Sequence, residues 1–241
     1  KLKKLFLFLN LILFLFLLSV YYFKENYLNH FTTTKDKRGN TFIIKYENLS
    51  YYGNLKVVGI KLYNKDTISF YRLYQNGSTQ NTINLNGNSL STFSYILTAL
   101  SQYSVKGDAL ILGFGGGIIP KELSKKKFNV DVVEINPATL KIAQKFFKYK
   151  KNNTNFFFED ARTFVKKCKK KYNLIIVDLF FEDGAPEHLT TFEFYKDLKN
   201  CLNNDGILLS NAIADFSNDL TVNTILSTFN AVFKNLYYFY D

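Results

Sequence analysis

The chain has no tryptophan and no methionine, and only two cysteines, two histidines and three prolines among its 241 residues. Two cysteines, Cys168 and Cys201, are too few for a disulfide framework or a cysteine-rich zinc site, so they read as buried thiols. Metal ligands come in clusters, and His30 and His188 stand far apart, so no metal is expected. His188 reads as a loop-packing or hydrogen-bonding residue. Three prolines and 12 glycines against 47% hydrophobic and 17% aromatic residues exclude collagen-like and disordered chains. With methionine wholly absent and Lys1 first, we expect the initiator to be missing and the product to be incomplete.

Acidic residues are also in short supply, 20 against 31 lysines and arginines, which gives a formal net charge of +11. Clustered lysine attracts phosphate. Here the runs Lys125–Lys127 and Lys166–Lys171 fall near predicted helix ends, where cations oppose the helix dipole. No nucleic-acid partner is therefore expected. The stretches Phe146–Phe147, Phe156–Phe158 and Tyr237–Tyr238 read as core, not as base-stacking platforms.

One long apolar run is present. Leu5–Phe23 is interrupted only by Asn10 and Ser19 and approaches the roughly 20 residues that span a bilayer as a helix. Leu18, Ser19 and Val20 match a signal-peptide cleavage site poorly. We therefore read residues 1–23 as a retained transmembrane anchor in preference to a cleaved signal segment. Tyr21 and Tyr22 suit headgroup level. Lysines on both sides of the run nearly cancel, so charge does not set the orientation. Residues 24–40 read as a linker.

Residues 41–88 carry TFIIKY, NLKVVGIKL and TISFYRLYQ, separated by turn signals at Tyr63–Asp66 and at Asn76-Gly77, which predicts a small antiparallel β subdomain. Ser89 is a candidate cap for a helix running to about Tyr103. From Asp108 the pattern changes to short continuous apolar runs, each followed by an amphipathic helix. That pattern predicts a doubly wound α/β domain over residues 89–241 with a parallel sheet buried on both faces. Pro137 fits a first helical turn, and Asp205-Gly206 fits a turn into the fifth strand. LYYFYD reads as a sixth strand, and its abrupt end leads us to expect that a final strand pair is missing.

Ligands of such a sheet bind at the carboxyl ends of its strands. After the first strand come Gly113, Gly115 and Gly117, which allow a tight turn and close backbone approach to a ligand. Glu134 ends the second strand, about twenty residues on, where a carboxylate can accept from both ribose hydroxyls. Asp160-Ala161 follows the third strand. Asp160 suits an adenine amino group or a helix N-cap, or both at once. Asp178 ends the fourth strand directly after the apolar run Leu174–Val177, and a buried carboxylate without a partner is costly enough to require a role.

This order resembles the class I S-adenosylmethionine-dependent transferases, on a Rossmann-like fold, and in detail the spermidine synthase (polyamine aminopropyltransferase) family. Phe93-Ser94-Tyr95 is similar to the family's FSY helix, and Ser50-x-Tyr52 to part of its SxYQ strand. The stretch from Pro186 to Phe194 resembles spermidine synthase-like domains of bacterial membrane proteins. The resemblance implies transfer of an aminopropyl group from decarboxylated S-adenosylmethionine to a polyamine or related amine. It makes Asp178 the base and amine anchor and Tyr95 an orienting residue, with the glycine turn, Glu134, Asp160 and Ala161 on the nucleoside.

The departures are specific. The family's aspartate in the glycine turn is Gly116 here, its strand glutamine is Gly53, the residue after Tyr95 is Ile96, and the second aspartate of its DxxD site is Phe181. Glu182 or Asp183 is the candidate replacement for that carboxylate at the amine site. Two alternatives follow: a methyltransferase that uses intact S-adenosylmethionine, and a membrane-tethered binding domain without turnover. Sulfonium donors are cytosolic metabolites, so the expected location is a membrane-anchored chain with its catalytic domain on the cytoplasmic side. A homodimer is the expected assembly.

Overall fold

The computed structural model describes residues 6, 8–19, 32–179, 186–211 and 219–239. Near the N-terminus the described helical residues are 6 and 8–19 (α1). At about 1.5 Å per residue, 8–19 extend roughly 18 Å, against a hydrocarbon core of roughly 30 Å. Among the described residues no helix is long and apolar enough to cross a membrane. This overturns the expected transmembrane helix and, with it, the membrane-anchored location with a cytoplasmic catalytic domain. Apolar composition over 19 residues suggested a span, but among the described residues no helix of that length is present.

The β-rich leader forms a five-stranded antiparallel sheet in the order β1-β2-β3-β4-β5. Its strands are β1 (Thr33–Lys35), β2 (Thr41–Ser50), β3 (Gly53–Lys61), β4 (Phe70–Gln75) and β5 (Ser78–Asn84). β1 lies inside the stretch read as linker and pairs with β2 through Thr34↔Phe42. Asn76 and Gly77 take φ values of 49° and 91°, the double left-handed turn that suits a two-residue hairpin. Register slips in the β4–β5 pair: Leu73 faces Asn81 while Tyr74 faces Thr79, leaving Gln80 as a bulge. A bulge of this kind re-aims its neighbours, and Asn81 is the residue re-aimed.

Helix α2 (Thr92–Leu100) continues into a 3-10 turn at Ser101–Tyr103. Ser91, not Ser89, is its N-cap residue. The hydroxyl of Ser89 instead accepts from the Ser91 amide at 3.0 Å.

The second half alternates strand and helix as its apolar runs demand. The strands are β6 (Asp108–Leu112), β7 (Asn129–Val133), β8 (Thr154–Phe157), β9 (Tyr172–Val177) and β10 (Leu202–Ser210). The helices are α3 (Ile118–Lys125), α4 (Ala138–Phe146), α5 (Ala161–Lys166), α6 (Phe192–Cys201) and α7 (Asp219–Val232). All strands run parallel, in the order β10-β9-β6-β7-β8. Asp205-Gly206 lies within β10, where the register against β9 shifts between Leu202 and Ile207. Residues 236–239 form no strand, so the sixth strand expected at LYYFYD is absent over its described part, and Tyr237 and Tyr238 are exposed, not core.

Burial follows the two-residue period of each strand. Ala109 and Ile111 face one side with Val130, Val132, Leu174 and Ile176, while Leu110 and Leu112 face the other with Ile175 and Val177. Leu110, Ile111 and Leu112 have no exposure, and full burial of each side chain contributes about 1.5–3 kcal/mol. The first face is covered by α3 and α4 and also by Leu55, Val57, Leu73 and Ile83 of the antiparallel sheet. The second is covered by α5, α6 and α7. Cys201 is buried there and Cys168 is only partly so.

Candidate active site

In the order β10-β9-β6-β7-β8 the chain reverses direction across the sheet between β6 and β9. Doubly wound sheets open a crevice at the carboxyl ends of strands flanking such a switch. Gly113 follows β6 and Asp178 follows β9, so both sit at this point. Asp178 donates its amide to the Leu112 carbonyl (2.9 Å), and Gly113 donates its own to Val133 (2.9 Å). A Cβ on Gly113, whose φ is +91°, would run into the Asp178 carbonyl, so this approach requires glycine.

Glu134 anchors the neighbouring strand end. Its carboxylate accepts from the Phe114 amide at 3.0 Å on one oxygen and from the Asn136 amide at 2.7 Å on the other. Burial pushes its carboxyl up, and the backbone amides of Asn136, Phe114, Ile135 and Gly115 pull it back only in part. Asn136 also donates to the Ser50 hydroxyl at 3.2 Å, which brings the tip of the β2–β3 hairpin over the Glu134 loop. Ser50 and Tyr52 thus lie on the rim of the site although they precede Glu134 by more than 80 residues.

The glycine turn itself is held from the antiparallel sheet. Asn81, re-aimed by the bulge, accepts the Gly116 amide at 2.5 Å. A Cβ on Gly116 would lie 2.8 Å from Phe147 Cδ1 and 3.0 Å from Asn81 Oδ1. The aspartate that the family resemblance places here therefore has no room in this chain. Asn81 is a functional candidate that sequence reasoning missed, and only the spacing of the hairpin strands hints at it.

Asp160 is the N-cap of α5. One carboxylate oxygen accepts from the Thr163 amide (2.8 Å) and hydroxyl (3.0 Å), and the other lies 3.3 Å from His188 Nε2. Burial pushes its carboxyl up, but the bonds from Thr163 and His188 outweigh this and hold it below the usual range. His188 is thus a hydrogen-bonding loop residue. Ala161 is buried behind Asp160.

Asp178 has a different environment. Its carboxylate accepts from the Asn211 side-chain amide at 3.0 Å, and burial pushes its carboxyl up to about 6 despite that bond. Asn211 follows β10 and donates its own amide to Val177. It too was missed, although a polar residue directly after an apolar strand was the available signal. Tyr95 donates its hydroxyl to the Ser89 carbonyl at 2.6 Å and keeps an exposed ring. Glu182, Asp183 and Phe181 lie outside the described residues.

Parallel strands in this order, with a glycine turn and acidic residues at their carboxyl ends, define a Rossmann-like α/β protein of the class I methyltransferase type. Human methyltransferase-like protein 13 in complex with SAH shares this fold, with a TM-score of 0.50 at 21% identity over 60% of this chain and 68% of that one. Spermidine synthase from Thermotoga maritima has a TM-score of 0.65 at 17% identity over 85% of this chain and 71% of that one. A spermine/spermidine synthase domain profile matches residues 97–241. The chain belongs to the spermine/spermidine synthase family. The polyamine aminopropyltransferase of Vibrio vulnificus (strain CMCP6) is 34% identical over 136 residues, 54% of this chain and 44% of that protein. The chain thus spans less than half the length of this relative.

Proposed function

We infer that the protein transfers an aminopropyl group from decarboxylated S-adenosylmethionine to a polyamine or related amine, with Asp178 as general base and amine anchor. The observation that carries this reading is the partly buried Asp178 carboxylate at the switch point, with one neutral amide on it among the described residues. A carboxylate held in such a setting gains most when a cation or a developing positive charge arrives beside it.

The acceptor enters as an ammonium, which has no lone pair. Asp178 takes a proton from it. The freed amine nitrogen then attacks the propyl carbon bonded to sulfur. The carbon–sulfur bond breaks, its electron pair neutralises the sulfonium, and 5′-methylthioadenosine leaves. The sulfonium is already a good leaving group, so positioning and proton removal are the tasks left to the protein. Tyr95 has used its hydroxyl proton on Ser89, so toward an amine it acts as an acceptor. On the donor side, Glu134 suits the ribose hydroxyls, Asp160 and Ala161 the adenine, and Gly113, Gly115 and Gly117 the close backbone approach.

One observation favours a second reading, methyl transfer from intact S-adenosylmethionine. The turn at Gly116 has no room for the carboxylate that would bind the amine of an aminopropyl donor. Incubation with each sulfonium donor and a panel of diamines and triamines, followed by product mass, separates the two. An aminopropyl adduct from the decarboxylated donor is the expected result. A methyl adduct replaces the first reading with the second, and no adduct with either leaves a binding domain without turnover.

A further inference from the structure

The segment that follows Pro186 is fastened to α5 at three points. Arg162 Nη1 donates to the His188 carbonyl at 2.5 Å and to the Thr191 hydroxyl at 2.8 Å. His188 Nε2 lies 3.3 Å from Asp160 Oδ2. The Thr191 hydroxyl also accepts the Phe194 amide at 3.3 Å, which caps α6, and Leu189 is buried between these helices. The segment is therefore a bridge pinned at both ends, not a free loop.

Asp160 has two carboxylate oxygens with unlike fates. Oδ1 is taken by the amide and hydroxyl of Thr163. Oδ2 is the oxygen left for a ligand, and the His188 ring sits on it. The His188 side chain is 55% exposed and that of Asp160 32%, so the pair is solvent-screened and weak. Arg162, by contrast, donates to two acceptors of one segment from a single guanidinium nitrogen, Nη1.

We propose that Arg162 and His188 form a clasp that sets affinity for the adenine end of the donor. Arg162 is a positioning residue that holds residues 188–191 beside Asp160. His188 stands in for the exocyclic amino group on Asp160 Oδ2 and must yield it when the nucleoside binds. The inference rests on Asp160 as the adenine acceptor, which belongs to the proposed function.

Calorimetric titration of the full chain with 5′-methylthioadenosine tests it, with 5′-methylthioinosine as the partner probe because it carries a carbonyl in place of the amino group. His188→Ala removes an exposed competitor and is expected to bind methylthioadenosine up to about fivefold more tightly, with no gain for methylthioinosine. Arg162→Met frees the segment that seats His188 on Asp160 and is expected to bind methylthioadenosine about twofold to fivefold more tightly, again with no gain for methylthioinosine, and Arg162→Lys to fall between Arg162→Met and the wild type. If Arg162→Met fails to fold, Arg162→Lys and His188→Ala carry the test. Weaker or unchanged binding by His188→Ala, an equal gain for both nucleosides, or wild-type or weaker binding by the Arg162 variants overturns the clasp and leaves the nucleoside site standing. Failure of the wild-type chain to bind methylthioadenosine overturns the nucleoside reading itself, and the clasp with it.

Discussion

The two halves of the proposed site differ in how many hydrogen bonds their carboxylates receive. On the proposed nucleoside side, Glu134 and Asp160 each have both carboxylate oxygens engaged, by amides, a hydroxyl and an imidazole. On the proposed amine side, Asp178 is partly buried and, among the described residues, accepts from one side-chain amide. The first arrangement fixes geometry in advance. In the proposed reaction the second is where an incoming ammonium would meet the carboxylate. A residue's availability for chemistry is thus measured by what its neighbours leave undone.

The largest expected effect breaks this contrast at Asp178. Asp178→Asn should lower kcat/KM for amine alkylation by about a thousandfold, as loss of a general base does, while methylthioadenosine affinity stays at the wild-type value. A parallel loss of nucleoside binding, read by titration calorimetry, would merge the two halves into one.

The same residue should show the opposite effect on stability. Its carboxyl rises from an ordinary 3.8 to about 6 in the folded chain. The folded state therefore holds its proton more tightly than the unfolded state, and stability is fully present below about pH 4. It declines as pH rises from about 4 to about 6, by an amount on the order of 3 kcal/mol. Asp178→Asn lacks that loss, since the Asn211 amide can still donate to an asparagine oxygen. Thermal melts of both chains at pH 4.5 and pH 8 check it: the variant should gain on the wild type at the higher pH. The activity of the wild type should in turn rise as pH passes about 6.

On the nucleoside side the expected effects are smaller. Glu134→Gln keeps one acceptor and places an amide against backbone N–H groups. It should weaken methylthioadenosine binding by about tenfold to a hundredfold, since hydrogen bonds to a charged group contribute about 1.5–3 kcal/mol. Smaller still, Asp160→Ala removes the cap of α5 and should cost about 1 kcal/mol in denaturant unfolding. If Asp160→Ala proves costlier than Glu134→Gln in both binding and stability, the ordering within this half is reversed.

The strand-end placement of Gly113, Glu134 and Asp160 was legible in the sequence because its signals are local. Gly113, Glu134 and Asp160 each follow an apolar strand at the expected spacing, and strand-end position alone brings them to one edge. Asn81 and Asn211 were not legible. Asn81 reaches Gly116 across 35 residues through a bulge, and Asn211 meets Asp178 across 33. No periodicity encodes such contacts. The parallel sheet was readable from continuous apolar runs, whereas LYYFYD has the composition of a strand and forms none over residues 236–239. Composition likewise suggested a membrane span at Leu5–Phe23, where no described helix is long enough to make one.

Leu55, Val57, Leu73 and Ile83 lie over the same sheet face as Ile111, Val132 and Ile176. The region matched by the synthase profile, residues 97–241, is consequently not a unit that can be excised. Trimmed at its first residue, it would present a bare aliphatic floor to water and would lose the asparagine that steadies its glycine turn. Such a fragment should self-associate, and adding the N-terminal sheet back in trans should rescue it only if the two surfaces meet before the floor finds another copy of itself.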